Sequence, residues 1–315
     1  MTPIVTLTVN PAIDAYQVAD AVVPVRKIRT RDEHYEAGGG GLNVARVVEE
    51  LGGEAVAFYL AGGLTGQALE GMVEKLGIAA VRVAIGGATR VSHVVLEAST
   101  GQEYRFTPEG PEVSETEWRH CLEVLSVVDA DYFVASGSLA RGMPDDFYAR
   151  VARGVKARGG RMVVDTSGAA LHWALEEGVH LVKPSRRELE QLLQREAGSP
   201  GDEEAMALEL VRSGGAEIVA LTLGARGAVL ATKSGTLRLT SPEVETKSAV
   251  GAGDAFLGAV VRALAGGGPV GRAFALGVAA GAATAASAGM GLATRAEIER
   301  LLAPVTAQLE RQQTT

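Results

Sequence analysis

The sequence lacks what a secreted, membrane-embedded or nucleic-acid-binding protein needs. Its single cysteine, Cys121, excludes an internal disulfide. Its 30 lysine and arginine residues are outnumbered by 38 aspartate and glutamate residues, and a net charge of -8 argues against nucleic acid as a partner. The first residues, MTPIVTLTVNP, show neither the basic region nor the long apolar stretch of a signal peptide. We expect a cytoplasmic protein with no membrane partner.

Two familiar nucleotide-binding motifs are also absent. Phe256 stands where G-x-G-x-x-G requires its last glycine, and no G-x-x-x-x-G-K-[ST] occurs. What is present is VGAGDAFLGA, residues 250–259, in which two glycines precede an apolar, helix-like run. The amides of Gly251, Ala252 and Gly253 can hold the charge of a transferring phosphoryl group, and Asp254 can accept a proton from an attacking hydroxyl. An ordinary strand-to-helix turn with an N-cap aspartate explains the tetrapeptide equally well.

A second glycine cluster, residues 38–41, precedes the helical pattern LNVARVVEELGG, which we predict to be a helix from Leu42 to Leu51. A helix N-terminus at this place would direct amides at a ligand hydroxyl or phosphate, whereas a flexible hinge is the simpler explanation of four glycines. Asp14 follows the first predicted strand. It can accept hydrogen bonds from sugar hydroxyls, although a turn residue is an equally ordinary role.

Cations and strand-end loops complete the set of candidates. Lys27, Arg29 and Arg90 can form a clamp for an anionic substrate, although each alone fits an exposed strand face. Two further loops after strands can line a polyphosphate, and a carboxylate there can hold hydrated Mg²⁺. Their candidate residues are Lys183, Ser185, Glu188, Thr222, Gly224 and Gly227.

Apolar runs typical of strands alternate with helical patterns along most of the chain. This alternation predicts an α/β fold, with a mostly parallel sheet flanked by helices on both faces and ligands at the carboxyl ends of the strands. Segments of about 12–37 and 89–106 interrupt the alternation and look like extended strands without helices. We expect one domain over residues 1–315, with these segments forming a small β-sheet lid or, alternatively, a dimer contact.

These motifs together resemble the ribokinase-type (PfkB) sugar kinase family, and the resemblance runs over almost the whole chain. It is carried by TLTVNPAID (6–14), AGGGGLNVAR (37–46), SGSLARG (136–142), VDTSGAAL (164–171), LVKPS (181–185), LTLGARGA (221–228) and VGAGDAF (250–256). The resemblance implies a ribokinase-like three-layer fold, ATP and Mg²⁺ as the cofactors, and a homodimer formed through the lid.

The resemblance also implies roles for individual residues. Asp254 becomes the general base, and the amides of residues 251–253 become the anion hole. The phosphosugar would be bound by Asp14, Lys27, Arg29, Gly38, Gly39, Asn43, Arg90 and Ser138. The nucleotide would be held by Lys183, Ser185, Thr222, Gly224 and Gly227, with Val278 and Ala282 near the adenine. Glu188 would serve Mg²⁺, and backbone groups near Ser248 and Val250 match a site for a monovalent cation such as K⁺.

Within the family the chain is most similar to phosphosugar kinases of the minor, ATP-dependent 6-phosphofructokinase type. This implies transfer of a phosphoryl group from ATP to the C1 hydroxyl of fructose 6-phosphate, giving fructose 1,6-bisphosphate in glycolysis. The alternatives are a tagatose 6-phosphate kinase, a 1-phosphofructokinase or a sugar-phosphate-binding regulatory protein. Gly40 favours fructose 6-phosphate, since the rival kinases usually have lysine there. Ser185 departs from the usual asparagine of N-x-x-E, which would weaken the contact with Mg²⁺ and phosphate.

Overall fold

A nine-stranded sheet forms the centre of the molecule. The computed structural model describes residues 3–287, 289 and 291–313. The sheet has the order β13-β12-β11-β10-β9-β8-β1-β4-β5; the seven strands from β11 through β1 to β5 in this order are parallel, whereas β12 pairs antiparallel with both β11 and β13. Its strands are β1 (Ile4–Thr8), β4 (Ala55–Ala61), β5 (Ala79–Ala84), β8 (Tyr132–Ser136), β9 (Arg161–Asp165), β10 (Val179–Val182), β11 (Ala216–Thr222), β12 (Ala228–Thr232) and β13 (Gly235–Leu239).

A smaller sheet contains the two segments that interrupt the alternation. It has the order β3-β2-β6-β7, with antiparallel outer pairs and a parallel central pair. Its strands are β2 (Ala12–Ala19), β3 (Thr30–Gly38), β6 (Arg90–Glu97) and β7 (Gln102–Phe106). The predicted small sheet is thus present, with one correction: residues 20–29, which include Lys27 and Arg29, form an exposed loop rather than strand.

Helices cover both faces of the large sheet. They are α1 (Gly40–Glu50), α2 (Gly63–Lys75), α3 (Glu115–Ser126), α4 (Phe147–Ala157), α5 (Gly168–Glu177), α6 (Arg186–Leu193), α7 (Pro200–Arg212), α8 (Ala252–Ala265), α9 (Val270–Ala285) and α10 (Arg295–Gln313). Within the described residues, no helix has the length and apolar content that a bilayer crossing demands.

The core lies in two layers, one on each face of the large sheet. One contains the buried sides of α1, α8, α9 and α10, and the other contains those of α3, α4, α5 and α7. Strand β1 is buried along its whole length because both of its faces are covered, as is usual for a central parallel strand. The predicted three-layer arrangement is therefore confirmed.

Two helices begin earlier than the sequence pattern suggested. Helix α1 begins at Gly40 rather than Leu42, and α8 begins at Ala252, between the two glycines, rather than in the apolar run that follows them. Each follows an N-cap glycine with positive φ, 131° at Gly39 and 73° at Gly251. Such φ values are readily adopted only by glycine, so the chain turns there and the helix starts at once. Both glycine clusters therefore contribute to a helical first turn.

Candidate active site

Asp254 lies in the first turn of α8, next to amides that the helix itself does not use. The first intrahelical bond runs from the Ala255 amide to the Gly251 carbonyl, at 2.8 Å. The amides of Ala252 and Gly253 therefore precede the hydrogen-bonded part of the helix, at its positive end. The predicted anion hole and the predicted base thus occupy one turn.

The Asp254 carboxyl group has an unusual proton affinity. Burial, reinforced by the nearby Asp165 carboxylate, raises its pKa to about 7, although the Asn43 amide and Lys183 act in the opposite direction. Asn43 Nδ2 on α1 donates to Asp254 Oδ2 at 2.9 Å, which joins the two glycine-opened helices at the base. A carboxyl group with a pKa near 7 suits proton transfer at neutral pH.

Gly40 has a steric role at this junction. A Cβ at position 40 would overlap Ser136 Oγ and would lie 3.2 Å from Asp254 Oδ1. The α1 backbone therefore passes directly beside the candidate base, Asp254, and glycine is the residue that permits this approach. Ser136 was not predicted from the sequence, although it ends β8 in the quoted SGSLARG segment.

The candidate sugar-binding residues lie beside this junction on the smaller sheet. Asp14 is in strand β2 rather than in a turn, and a Cβ at Gly38 would overlap its carboxylate. Burial raises the pKa of Asp14 to about 6, against the opposing effect of Arg90. The Arg90 guanidinium also donates to the carbonyl oxygens of Asn10 at 2.8 Å and Pro108 at 2.9 Å. Asp14 and Arg90 thus lie on two adjacent strands and form one polar wall of the smaller sheet.

Asn10 connects this wall to the large sheet. Its Nδ2 donates to the Ser138 hydroxyl at 3.4 Å and to the Glu109 carbonyl at 2.9 Å. Ser138 therefore approaches the predicted sugar residues, and Asn10 is a contact that the sequence analysis missed. By contrast, Lys27 and Arg29 are exposed on the 20–29 loop, and neither makes a hydrogen bond or ion pair with any described residue. Their role stays a prediction.

A buried ion pair lies on the other side of the base. Lys183 Nζ is 3.1 Å from Asp165 Oδ1, and both side chains are largely buried. Burial would lower the pKa of Lys183, but the carboxylates of Asp165 and Asp254 outweigh this effect and raise it. A Cβ at Gly253 would lie 3.4 Å from Lys183 Nζ, so the ammonium group faces the first turn of α8. Lys183 is therefore charged and close to the candidate anion hole.

Asp165 is the main residue that the sequence analysis missed. It ends β9 and is the register neighbour of Ser136, whose hydroxyl donates to Asp165 Oδ2 at 3.4 Å. The available signal was positional, because a polar residue at the carboxyl end of a buried parallel strand lies at the ligand edge of such a sheet.

Ser185 and Glu188 have a structural role that the sequence analysis did not consider. Ser185 Oγ accepts from the Glu188 amide at 3.3 Å, and Glu188 Oε2 accepts from the Ser185 amide at 2.7 Å. This reciprocal pair is a capping box that fixes the start of α6. It engages Oε2 of Glu188 and leaves Oε1 outside the capping bonds, so Glu188 retains an oxygen for a cation.

The donor set fits a magnesium ion that arrives with a nucleotide. Among residues 3–287, 289 and 291–313, no three acidic, histidine or cysteine residues are grouped so as to hold a metal ion by themselves. Mg²⁺ at phosphoryl-transfer sites is commonly bound by one or two carboxylates together with substrate phosphates. Glu188, with Asp165 near it, is suited to that arrangement.

The two segments that contain the candidate nucleotide-binding residues are hydrogen-bonded to each other. The Thr222 amide donates to the Pro184 carbonyl at 2.9 Å, and Ser185 and Thr222 form a parallel bridge. Beyond Thr222 the chain forms a 3₁₀ turn, Gly224–Arg226, which ends at Gly227 with φ 96°. The loops that follow β10 and β11 therefore present one continuous edge.

The remaining candidates lie around α9. Val278 and Ala282 are buried to 4% and 6% exposure, so only a small part of each side chain can face an adenine. Ser248 is buried, and its amide donates to the Ala285 carbonyl at the end of α9 at 3.3 Å. Val250 donates its amide to Ser248 Oγ, also at 3.3 Å. Their ligand roles stay predictions.

Comparisons with known proteins identify the family of the chain. The family model described as pfkB family carbohydrate kinase matches residues 5–296. The ATP-dependent 6-phosphofructokinase isozyme 2 of Mycobacterium tuberculosis is 39% identical over 266 residues, which cover 84% of this chain and 78% of the relative.

Solved structures agree as well. Crystal structures of phosphofructokinase-2 from Escherichia coli in complex with fructose-6-phosphate and with potassium match with TM-scores of 0.92 and 0.93. Both are 33% identical in sequence, and each match covers 97% of this chain and 100% of the other. The chain belongs to the pfkB family of carbohydrate kinases, whose activity implies ATP and Mg²⁺.

Proposed function

We propose that this sugar kinase transfers the γ-phosphoryl group of ATP to the C1 hydroxyl of fructose 6-phosphate. The observation that carries the proposal is the Asp254 carboxyl group, with a pKa of about 7, in the same helical turn as the Ala252 and Gly253 amides. A base and an anion site at one helix N-terminus are what phosphoryl transfer to an alcohol requires.

Each residue of the site then has a defined task. Asp254 accepts the proton of the C1 hydroxyl, and the amide of Asn43 orients the carboxylate for that acceptance. The amides of Ala252 and Gly253, together with Lys183, stabilise the negative charge on the transferring group. Asp165 holds Lys183 in place. Glu188 would hold the Mg²⁺ that accompanies ATP, and that ion would supply positive charge to the phosphates.

Fructose 6-phosphate is supported over the rival sugars by two observations. The Mycobacterium tuberculosis relative is named as a 6-phosphofructokinase, and a crystal structure of the Escherichia coli phosphofructokinase-2 contains fructose-6-phosphate. In this chain, a side chain at position 40 would enter the space between Ser136 and Asp254. A lysine such as the rival kinases usually have would therefore need a different arrangement beside the base.

A substrate panel tests this assignment. Purified protein is assayed with ATP and Mg²⁺ against fructose 6-phosphate, tagatose 6-phosphate and fructose 1-phosphate, and ADP release is measured. We expect the highest kcat/KM with fructose 6-phosphate. A higher value for either other sugar would replace the proposed substrate. Tight sugar binding without ADP release would instead support a regulatory binding protein.

The smaller sheet supports a homodimer formed through a lid. Five of the large apolar side chains exposed in the described structure lie in its strands or its 20–29 loop: Val23, Val25, Ile28, Tyr35 and Phe106. Burying them against a second copy would gain hydrophobic free energy and would place Lys27 and Arg29, which lie on the same loop, at or near the interface. Light scattering on the purified protein should give twice the chain mass of 32.5 kDa.

We also propose that carbonyl groups near Ser248 and Val250 bind a monovalent cation. The support is that the backbone amides of Lys247 and Ser248 donate hydrogen bonds to the Ala285 carbonyl, which holds this segment against the end of α9. In addition, a similar enzyme was crystallised in complex with potassium. Activity in KCl should exceed activity in tetramethylammonium chloride at equal ionic strength.

The cytoplasm remains the compartment we predict.

A further inference from the structure

Glu203 is a buried carboxylate outside the residues considered so far. It lies on α7, and its side chain is 2% exposed. Arg226 donates to its Oε1 at 2.6 Å and Arg238 donates to its Oε2 at 3.0 Å, while Arg186 Nε lies 3.6 Å from Oε1. Fully buried glutamates are rare unless they are paired, and three arginines converge on this one.

The three arginines come from three different elements. Arg186 is the first residue of α6, directly after the Ser185 cap. Arg226 is the last residue of the 3₁₀ turn 224–226, and Arg238 lies in β13. Through Arg186 and Arg226, Glu203 therefore connects the two segments that contain the candidate nucleotide-binding residues, 183–188 and 222–227. Thr222 and Pro184 already join these segments at the strand ends, so Glu203 supplies a second, independent connection.

The charges of this cluster balance within the protein. Arg186 also pairs with Glu190 at 2.9 Å, and Arg238 also pairs with Glu204 at 2.9 Å. Burial alone would raise the pKa of Glu203, but the hydrogen bonds from Arg226 and Arg238 outweigh it and keep the pKa below its ordinary value. Three glutamates thus meet three arginines, and the cluster can hold its geometry without a ligand.

We propose that Glu203 is a positioning residue for the nucleotide, acting through Arg226 on the 224–227 loop and through Arg186 on the start of α6. The inference rests on the proposed function, since that function assigns ATP to these two segments. Glu203 touches neither ATP nor the reacting atoms. It fixes the distance between the two loops, so that their amides and Glu188 meet the phosphates without rearrangement.

The test compares Glu203→Gln with two matched controls on α7. Glu204→Gln breaks a contact of the same Arg238 without touching the 224–227 loop, and Glu209→Gln breaks the exposed Arg195–Glu209 pair. ATP binding is measured by isothermal titration calorimetry without sugar, and KM and kcat are measured in the sugar-dependent assay. Thermal unfolding is recorded for all variants.

For Glu203→Gln we expect the Kd and KM for ATP to rise about 3–10-fold, the equivalent of one or two lost hydrogen bonds. The values of kcat and of KM for the sugar should stay within about 2-fold, because the reacting groups are not altered. Both control variants should bind ATP like the wild type. A lowered unfolding temperature with an unchanged Kd for ATP would overturn the inference, as would equal weakening by Glu204→Gln.

Arg226→Gln provides a second variant in case Glu203→Gln does not fold, because half of the Arg226 side chain is exposed. It should weaken ATP binding to a similar degree, and the double variant should be little worse than either single one. Additive effects would contradict a shared role. If wild-type protein binds ATP but shows no sugar-dependent turnover, the proposed function fails while the calorimetric comparison still decides the role of Glu203.

Discussion

Two groups of carboxylates, one beside the candidate base and one beneath the candidate nucleotide loops, have pKa values shifted in opposite directions. On the sugar side, burial raises the pKa of Asp14 to about 6 and that of Asp254 to about 7. Below the candidate nucleotide loops, the Glu203 side chain is only 2% exposed, yet its pKa is lowered because hydrogen bonds from Arg226 and Arg238 outweigh the effect of burial. The surroundings thus disfavour the ionised form of Asp14 and Asp254, whereas they favour the ionised form of Glu203.

We expect this difference to separate groups that react from groups that support. A carboxylate that must take up a proton gains from a raised pKa, and the cost appears as reduced stability of the ionised folded protein. A carboxylate that only holds loops in place gains from arginine partners whose hydrogen bonds outweigh the cost of burying its charge. If this distinction is correct, a substitution at Asp254 should change activity more than stability, whereas a substitution at Glu203 should change stability more than activity.

The largest expected effect is on turnover at the base. Asp254→Asn keeps the size and the contact with Asn43 but cannot accept a proton. We expect kcat to fall by about 10²–10⁴-fold, the usual contribution of a general base. The Kd for ATP and for fructose 6-phosphate should change little. Single-turnover kinetics with calorimetric binding check this expectation, and turnover near the wild-type level would remove Asp254 from the role of base.

A steric change beside the base should come next in size. Gly40→Ala places a methyl group against Ser136 Oγ and near Asp254. Either the serine or the α1 backbone must shift, and displacements of about 1 Å at a reacting group can cost about 10²-fold in rate. We expect kcat/KM to fall to that extent. Adding Ser136→Gly should recover part of the loss, and a double variant no better than Gly40→Ala would show that the contact with Ser136 is not the cause.

Asp254 and Glu203 should make the stability of the folded protein depend on pH in opposite directions. Asp254 has a pKa raised from 3.8 to about 7, so the folded protein loses stability as pH rises through this range. Asp254→Asn should therefore unfold at a higher temperature than the wild type at pH 8, with a smaller gap at pH 5.

Glu203 should show the reverse. Its pKa is lowered from 4.5, so its stabilising contribution is present above that value and is lost as pH falls through the lowered pKa. Glu203→Gln should cost about 1–3 kcal/mol at pH 8, as expected for leaving buried partners unsatisfied, and less below pH 4. Thermal melts of both variants at each pH measure the difference, and shifts of the same sign would contradict the comparison.

Much of this arrangement could be predicted from sequence patterns, because strand periodicity and glycine-opened helices are local signals. The alternation along the chain indicated the parallel sheet, and residues 250–259 indicated the base. Helix α3 was missed, although Ser114 and Glu117 form a capping box that such a pattern predicts. The same box at Ser185 and Glu188 was interpreted only as a ligand pair.

What sequence reasoning could not supply depends on contacts between distant segments. The pairing of Lys183 with Asp165 and the convergence of three arginines on Glu203 join residues that no local pattern connects. The pKa of Asp254 likewise depends on burial and on Asp165, both of which are products of tertiary packing. These features determine how the site functions, whereas the local motifs determine only where it lies.

The smallest expected effect is on the pH dependence of the reaction. With Asp254 as base, kcat/KM should rise with pH and level off above about 7. Asp165→Asn removes a neighbouring negative charge and frees Lys183 to approach Asp254, and both changes lower the pKa of the base. The acid limb should therefore move to lower pH. The phosphate group of the sugar also titrates near pH 6, but it does so identically with both proteins, so the shift between their profiles reports on the enzyme alone. An unchanged limb, or one moved to higher pH, would mean that Asp165 does not contribute to the raised pKa of Asp254.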